Sequence, residues 1–199
     1  RSGPPPPPKE GPAPAPPPPA AHAPSAPTAA KAPPAPKAAP AAEPRAKKRK
    51  GSWREGFFTH GCPRPGPPPN PRQIERQCDF IQHPLGLAPG ATILDVGRGL
   101  GLHAVELTRR GYLVVGLDLS LPMLSRAADE AQDQGFKINF LHADMREMNF
   151  DGAFDAVICW GTTYGYFDDD QNKLVVERLY RALKPKGLLL LDVDNRDFV

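Results

Sequence analysis

Residues 91–199 are predicted to fold as an α/β domain built on a doubly wound parallel sheet. Two observations lead to this fold class. Apolar segments of strand length alternate with amphipathic segments of helical period, a succession typical of a parallel sheet covered on both faces. The first apolar segment also ends at Asp95 and is followed at once by Gly97, Gly99 and Gly101, which suits a tight turn from a strand into a helix.

The elements of this domain are expected in a regular order along the chain. They are strand 91–96, helix 101–110, strand 112–117, helix 121–134, strand 136–141, strand 154–160, helix 169–183 and strand 187–193. Gly111 and Gly135 stand where a left-handed residue ends a helix. Ser120 followed by Pro122 indicates an N-cap with a proline in the first turn.

Residues 53–90 are predicted to form an N-terminal arm with a lid helix. The arm carries aromatic residues, and helix 72–82 has apolar residues at helical spacing: Ile74, Cys78, Phe80 and Ile81. Pro84 and Gly86 are expected to stop this helix before the first strand.

Residues 1–52 are expected to be a disordered tail rich in proline, alanine and lysine. Residues 1–50 hold 18 of the 28 prolines and no Leu, Ile, Val or aromatic residue, so they cannot bury enough apolar surface to offset the entropy lost on folding. They also carry nine basic and two acidic residues, so the net charge of +3 divides into +7 there and −4 elsewhere. The basic cluster 45–50 could attract nucleic acid or an acidic partner, although a solvated linker is the commoner role.

The cysteines and the hydropathy pattern indicate the cellular compartment in which the protein is expected. Cys62, Cys78 and Cys159 lack the spacing of a zinc site and form an odd set, which favours a reducing compartment. The sequence contains neither an apolar run of membrane-spanning length nor a secretory signal. We therefore expect a cytoplasmic protein without a membrane partner and without a metal.

The turn after Asp95 predicts a site for a nucleotide-like cofactor. Backbone N–H groups are unpaired at the start of a helix, and glycine lets a ligand approach them closely. The acid adds a negative charge that suits a cationic ligand better than a diphosphate. A dinucleotide fold is an alternative, but its Gly-x-Gly-x-x-Gly spacing differs, since position 102 is Leu. A tight turn without any ligand is the other alternative.

Two further acids follow the next two strands. Asp118 lies 17 residues beyond Gly101 and suits a clamp on ribose hydroxyls, whereas its alternative role is that of an ordinary turn acid. Asp144 and Met145 could accept from an exocyclic amine and pack on a purine ring. A turn acid beside a core methionine is the alternative for that pair. Three acids at three consecutive strand ends favour an adenosyl cofactor.

These segments resemble the class I S-adenosylmethionine-dependent methyltransferases, in particular the bacterial-type enzymes that act on small molecules. The glycine turn resembles the family motif Asp-Val-Gly-Cys-Gly-x-Gly. The other segments that carry the resemblance are 101–107, 110–112, 118–120, 123–124, 143–146, 154–157, 164–167, 183–187 and 192–197. The resemblance implies a Rossmann-like sheet of strand order 3-2-1-4-5.

The resemblance also implies roles for individual residues. Those implied to hold S-adenosylmethionine follow the first four strands: Asp95, Gly97, Gly99, Gly101, Asp118, Leu119, Asp144, Met145, Cys159 and Trp160. Those implied to line the pocket for the small-molecule acceptor come next along the chain: Thr162, Thr163, Tyr164 and Tyr166. Packing beneath a lid is the alternative for the aromatic side chains.

The implied activity is in-line transfer of a methyl group from S-adenosylmethionine to a small-molecule acceptor. A sulfonium is its own leaving group, so the protein mainly has to align the acceptor and exclude water. No catalytic residue is assigned, because His60, His83 and Tyr166 qualify as bases by residue type alone. The alternative function is that of a non-catalytic module that acts through its tail as an interaction protein.

The sequence departs from the family pattern in three places. Arg98 replaces the usual cysteine of the glycine motif and adds a cation beside a cationic cofactor. Lys186 replaces a glycine in the turn before the fifth strand. The chain reaches Val199 without the last two strands of the family, and its fifth strand is expected to have an apolar edge at 188–191. We expect a fragment of a longer protein, and the alternative is a degenerate domain that relies on a partner.

Overall fold

The computed structural model describes residues 68–97, 99–195 and 197. The tail, the arm before residue 68 and Arg98 lie outside the described residues, so the predictions made for them stay predictions. The described chain contains one sheet of five parallel strands in the order β3-β2-β1-β4-β5. The predicted fold class and strand order are therefore confirmed.

The bounds of the elements are close to those expected from the sequence. The helices are α1 (Pro71–Leu85), α2 (Leu102–Arg109), α3 (Leu121–Asp133) and α4 (Asp169–Ala182). The strands are β1 (Thr92–Val96), β2 (Leu113–Asp118), β3 (Asn139–His142), β4 (Phe154–Cys159) and β5 (Leu183–Leu191). None of these helices is both long and apolar enough to cross a bilayer.

Two apolar clusters cover the sheet, because successive residues of a strand point to opposite faces. Ile93 belongs to the cluster that α1 and α2 join, and Leu94 belongs to the cluster that α4 joins. Residues of β4 contribute to both clusters in the same alternating way. The central strands are thus buried on both sides, and their carboxyl ends form one edge at which side chains from different strands meet.

Glycines end α2 and α3 as the sequence predicts. Gly111 and Gly135 have φ of 92° and 76°, and the N–H groups of both glycines and of the residues after them bond back to the last helical carbonyls. This is the Schellman arrangement. It also explains why β3 starts at Asn139 rather than at residue 136: the Phe136 N–H donates to the Ala131 carbonyl at 2.8 Å and belongs to the end of α3.

The predicted stop of α1 at Pro84 is wrong, because the helix continues to Leu85. A proline in the last turn removes only one backbone donor and leaves the rest of the helix paired. Gly86, with φ of 52°, ends the helix, and its N–H donates to the Gln82 carbonyl at 3.0 Å. The helix begins with Asn70 and Gln73, whose side chains each accept from the other's backbone N–H in a capping box.

Strand β5 starts earlier and ends earlier than expected, and it contains a bulge. Phe154 pairs with Leu183, whereas regular pairing resumes only between Ala156 and Leu188. The intervening residues bulge out, and Lys186 takes a left-handed φ of 67°. Lys184 lies in this bulge and donates through Nζ to both carboxylate oxygens of Asp155 at 2.9 Å.

An ion-pair network fastens α1 to α2. Glu106 is buried, and its carboxylate accepts from Arg109 Nε at 2.8 Å and from Arg110 Nε at 2.6 Å. Arg110 reaches across to α1, where its Nη1 lies 2.7 Å from Asp79 Oδ1 and also donates to Gln82. Glu106 therefore holds Arg110, which makes polar contacts with α1 in addition to the apolar packing of that helix.

The stability of this network is predicted to depend on pH. Burial alone would raise the pKa of Glu106, but hydrogen bonds and charges from Arg109 and Arg110 together hold the pKa below its ordinary value. A carboxylate with a lowered pKa stabilises the fold above its ordinary pKa and loses that contribution as the pH falls toward the folded value. We expect Glu106→Gln to lower the free energy of unfolding most at neutral pH, with a difference from wild type that shrinks below about pH 4.3.

Urea unfolding over a series of pH values measures this difference. Glu177→Gln is the matched control, because Glu177 is an exposed residue of α4 and should change stability little at any pH. A difference between wild type and Glu106→Gln that does not vary with pH would contradict the assignment.

The bulge of β5 leads to a second prediction about stability. Lys186 holds a left-handed conformation that glycine adopts without strain, so Lys186→Gly should raise the free energy of unfolding by about 1 kcal/mol. The same substitution at Lys173, an exposed position inside α4, should lower it by about 1 kcal/mol. Urea unfolding of the two variants measures whether the free energy of unfolding changes in opposite directions. A loss of stability in Lys186→Gly would contradict the assignment of backbone strain to Lys186.

Candidate functional site

The acids predicted from the sequence follow three adjacent strands of the sheet. Asp95 of β1 is in register with Gly116 of β2, and Asp118 of β2 is in register with His142 of β3. Asp95 and Asp118 are 2% and 8% exposed, and Asp144 follows β3 directly. The fold therefore brings all three carboxylates to one edge, as parallel pairing requires.

The glycine turn has the conformation that its composition predicts. Gly97, Gly99 and Gly101 have φ of 66°, 56° and 72°, which side chains other than that of glycine rarely adopt. The Gly97 N–H donates to the Leu117 carbonyl at 2.7 Å. The turn is thus joined to the end of β2 as well as to its own strand.

Asp118 makes the second connection between β2 and the turn. Its Oδ2 accepts from the Gly99 N–H at 2.8 Å, and its Oδ1 accepts from the Ser120 N–H at 2.8 Å. Ser120 occupies the N-cap position of α3 as predicted, but its side chain makes no capping bond. Each oxygen of Asp118 keeps lone-pair capacity beyond these bonds, so the carboxylate fits a ligand that offers two hydroxyls, as a ribose does.

Thr163 packs directly on the glycine turn. Its Oγ1 lies 3.1 Å from the Gly97 carbonyl oxygen and 3.0 Å from the Trp160 carbonyl oxygen. A Cβ atom added at Gly97 would lie 1.8 Å from Thr163 Cγ2. Thr163 therefore connects the loop after β4 to the turn after β1, and no side chain larger than hydrogen fits at position 97.

At the end of β3, the Asp144 carboxylate is paired with Arg146. Arg146 Nη2 lies 2.5 Å from Asp144 Oδ2, and the Arg146 backbone N–H donates to Asp144 Oδ1 at 2.8 Å. Burial by itself would raise the pKa of Asp144, but these hydrogen bonds and the guanidinium charge hold the pKa below its ordinary value. Asp144 is therefore an ionised acceptor throughout the neutral range.

Cys159, the last residue of β4, does not carry a reactive thiol. Burial, with smaller contributions from Asp95 and Asp192, raises the pKa of Cys159 to about 12, so its thiol stays protonated. The Gly161 N–H donates to Asp192 Oδ2 at 2.9 Å. Thr162 has a φ of 55°, an unusual conformation for a β-branched residue that indicates strain at this point of the loop.

The aromatic side chains of the predicted acceptor pocket differ in their surroundings. Tyr164 is half-buried on the apolar cluster that α4 joins, and so are Met145 and Phe167. Tyr166 is exposed. Leu119 is half-buried, and the carbonyl of this residue lies 3.0 Å from His142 Nε2.

Helix α1 reaches the site through residues to which the sequence assigned no role there. The ring of Phe80 lies 6.0 Å from that of Trp160, and the His103 ring lies 6.0 Å from Trp160 on the side of α2. His103 Nε2 also lies 2.9 Å from Gln77 Oε1 on α1. Phe80 was expected on the apolar side of its helix, but it is 65% exposed and flanks the site instead.

Arg146 is another residue at this edge that sequence reasoning did not assign to the site. It belongs to the segment that carries the family resemblance, yet no role was assigned to it. Its position two residues after a strand-end acid was a signal, since a short turn can bring such a pair together. Its further partners, on α4 and in the loop before α4, are distant in sequence.

The close contact of Gly97 with Thr163 makes a prediction. Gly97→Ala should lower the free energy of unfolding by about 2 kcal/mol or more, because backbone strain adds to overpacking. Gly152→Ala is the matched control: Gly152 also has a positive φ, but a Cβ there meets nothing within 4 Å, so strain acts alone. Thr163→Ser removes the clashing methyl group and keeps the hydroxyl, so it should recover part of the loss in the double variant. Strictly additive effects in urea unfolding would contradict this contact.

Comparisons with known proteins agree with this arrangement. The family described as a methyltransferase domain matches residues 93–187. A glycine/sarcosine N-methyltransferase of Halorhodospira halochloris is 34% identical over 122 residues, which cover 60% of this chain and 46% of that protein. The chain spans about half the length of the curated relatives it matches.

Two solved structures extend the comparison. A methyltransferase from Geobacter sulfurreducens in complex with S-adenosyl-L-homocysteine is 25% identical, with a TM-score of 0.52 over 69% of this chain and 54% of that chain. The cyclase SpnF is 26% identical, with a TM-score of 0.52 over 60% of this chain and 44% of that chain. A methyltransferase domain thus matches residues 93–187, and the five-stranded fold with acids and glycines at its edge is similar to that of the class I S-adenosylmethionine-dependent methyltransferases.

Proposed function

We propose that this protein transfers a methyl group from S-adenosylmethionine to a small-molecule acceptor. The observation that carries the proposal is Asp118, a buried carboxylate that holds the glycine turn through Gly99 and retains lone pairs for a diol. A dinucleotide would also offer a ribose. However, the edge also carries Asp95 and Asp192, whose negative charge favours a sulfonium ligand over a diphosphate.

In this proposal the residues divide the cofactor between them. The methionine end would lie against Asp95 and the glycines of the turn, the ribose against Asp118 and Leu119, and the adenine between Asp144 and Met145. Cys159 and Trp160 would contribute backbone groups near the sulfur. Thr162, Tyr164 and Tyr166 would face the acceptor, whereas Thr163 would hold the turn in place.

S-adenosylmethionine supplies an activated methyl group, so the chain's own residues mainly bind, orient and exclude water. The rings of Trp160 and Phe80 flank the edge from α1, and those of Tyr164 and Phe167 flank it from the α4 side. Together they would make an apolar wall around an acceptor. An amine is the first acceptor class to test, because the Halorhodospira relative is named for N-methylation of glycine and sarcosine.

The remaining parts of the chain enter the proposal on sequence grounds. We propose a division into the tail (1–52), the arm with its lid helix (53–90) and the cofactor domain (91–199), in a cytoplasmic protein. The contact of Phe80 with Trp160 supports the role of α1 as the lid element. The alternative, a module that acts through its basic tail without catalysis, has no support among the described residues.

Calorimetry with S-adenosylhomocysteine tests cofactor binding. We expect the wild-type chain to bind with a dissociation constant of about micromolar order, and Asp118→Ala to abolish binding because it removes the diol acceptor. Asp118→Asn keeps the shape and should weaken binding less. Asp151→Ala is the control, because Asp151 is an exposed acid remote from the edge.

Absence of binding by a folded wild-type chain would reject the proposal. Binding of NAD in its place would revive the dinucleotide alternative. If S-adenosylhomocysteine binds, incubation with methyl-labelled S-adenosylmethionine and a panel of amines, including glycine and sarcosine, measures turnover. Binding without labelled product from any acceptor would favour the non-catalytic alternative.

A further inference from the structure

We propose that Arg146 is a positioning residue that orients Asp144 to recognise the exocyclic amine of adenine and joins this recognition to the segment that precedes α4. The inference rests on the proposed function, because the orientation of Asp144 matters to binding only if adenine lies against it. Arg146 itself does not need to touch the ligand.

The contacts at Asp144 define a single orientation of its carboxylate. Arg146 Nε lies 3.0 Å from Oδ1 and 3.1 Å from Oδ2, and Nη2 lies 2.5 Å from Oδ2. The Arg146 backbone N–H occupies a further site on Oδ1 at 2.8 Å. Three N–H hydrogens make these contacts, because the single hydrogen of Nε is shared by both oxygens. A carboxylate has about four lone-pair sites, so acceptor capacity remains for about one more N–H. The remaining capacity matches one amine hydrogen.

The low exposure of the pair strengthens this orientation. The side chains of Asp144 and Arg146 are 11% and 29% exposed, so water competes weakly for their hydrogen bonds. Charge-assisted bonds of this kind are about twice as strong as neutral ones. The ion pair therefore keeps the acceptor both charged and fixed before a ligand arrives.

The other side of the guanidinium contacts the α4 region. Arg146 Nη1 donates to Gln171 Oε1 at 2.8 Å, and the guanidinium carbon lies 4.3 Å from the centroid of the Phe167 ring. The Phe167 backbone is held in turn by the Asn172 side chain, through bonds of 3.2 and 2.8 Å. One side chain thus connects the end of β3 to the start of α4.

These contacts require arginine specifically. The planar guanidinium pairs with a carboxylate, donates to an amide oxygen and stacks on a ring at the same time, whereas a lysine ammonium is a point charge on a flexible stem. Lysine would keep the attraction to Asp144 but lose the fixed orientation. Arg146→Lys would therefore keep the charge beside Asp144 but not the fixed orientation, so this substitution separates the two contributions.

A site built to accept from an amine rejects an analogue that lacks it. S-inosylhomocysteine is such an analogue, because a carbonyl replaces the exocyclic amine and would face the Asp144 carboxylate. The ratio of its dissociation constant to that of S-adenosylhomocysteine therefore reports on the orientation of Asp144. A merely structural role of Arg146 would weaken both ligands alike and leave this ratio unchanged.

Calorimetry with both ligands on the full chain is the test. We expect the wild-type protein to prefer S-adenosylhomocysteine by at least about tenfold, Arg146→Gln to lose most of that preference, and Arg146→Lys to keep an intermediate part. Gln171→Ala should reduce the preference less, because it removes only one contact on the α4 side. Arg181→Gln should behave as wild type, since Arg181 belongs to an exposed pair with Asp151.

The outcomes separate this inference from the proposed function. Failure of the wild-type chain to bind S-adenosylhomocysteine would overturn both. An unchanged preference in Arg146→Gln, even with weaker binding of both ligands, would overturn the positioning role alone. If Arg146→Gln does not fold, a wild-type preference in both Arg146→Lys and Gln171→Ala would overturn it as well.

Discussion

The carboxylate of Asp118 is the contact on which the candidate site depends. It joins three elements, since it lies at the end of β2 and accepts from the glycine turn after β1 and from the start of α3. Both bonds are charge-assisted, and one is buried and the other partly buried, so they are stronger than neutral bonds at the surface. Asp118 therefore holds the turn and the start of α3 together, and a ligand that binds Asp118 would contact groups that are already fixed in position.

One backbone conformation at the same edge costs free energy. Thr162 has a positive φ and lacks the freedom of glycine, whereas the three glycines of the turn and Gly161 adopt positive φ without strain. Strain of this kind persists only where surrounding contacts stabilise it. Here the next residue, Thr163, bonds to the Gly97 and Trp160 carbonyls, and Asp192 accepts from Gly161, so the loop that contains Thr162 is held on both sides.

The electrostatics of the edge follow one pattern. Three of the acids at the edge accept from nearby donors: backbone N–H groups at Asp118 and Asp192, and a guanidinium at Asp144. Fixed donors keep carboxylates ionised and oriented, so little reorganisation is needed when a ligand arrives. A cationic cofactor would be attracted by the carboxylates that carry no paired cation.

Much of this could be predicted from the sequence, because it depends on local chemistry. Glycine alone adopts the left-handed conformation at positions 97, 99, 101, 111 and 135 without strain. Alternation of strands and helices leads to a parallel sheet, and parallel strands bring their terminal acids to one edge. The order of the strands and the place of Asp95, Asp118 and Asp144 followed from these rules and from the family resemblance.

Other features were decided by contacts between residues far apart in the chain. The bulge of β5 depends on its pairing with β4, the exposure of Phe80 depends on how α1 packs on α2, and the partners of Arg146 come from β3 and α4 together. Local propensity does not encode such contacts, because their free energy exists only once the sheet has formed. The sequence by itself determined which residues reach the edge of the sheet, and the tertiary structure decided which of them hold one another in place.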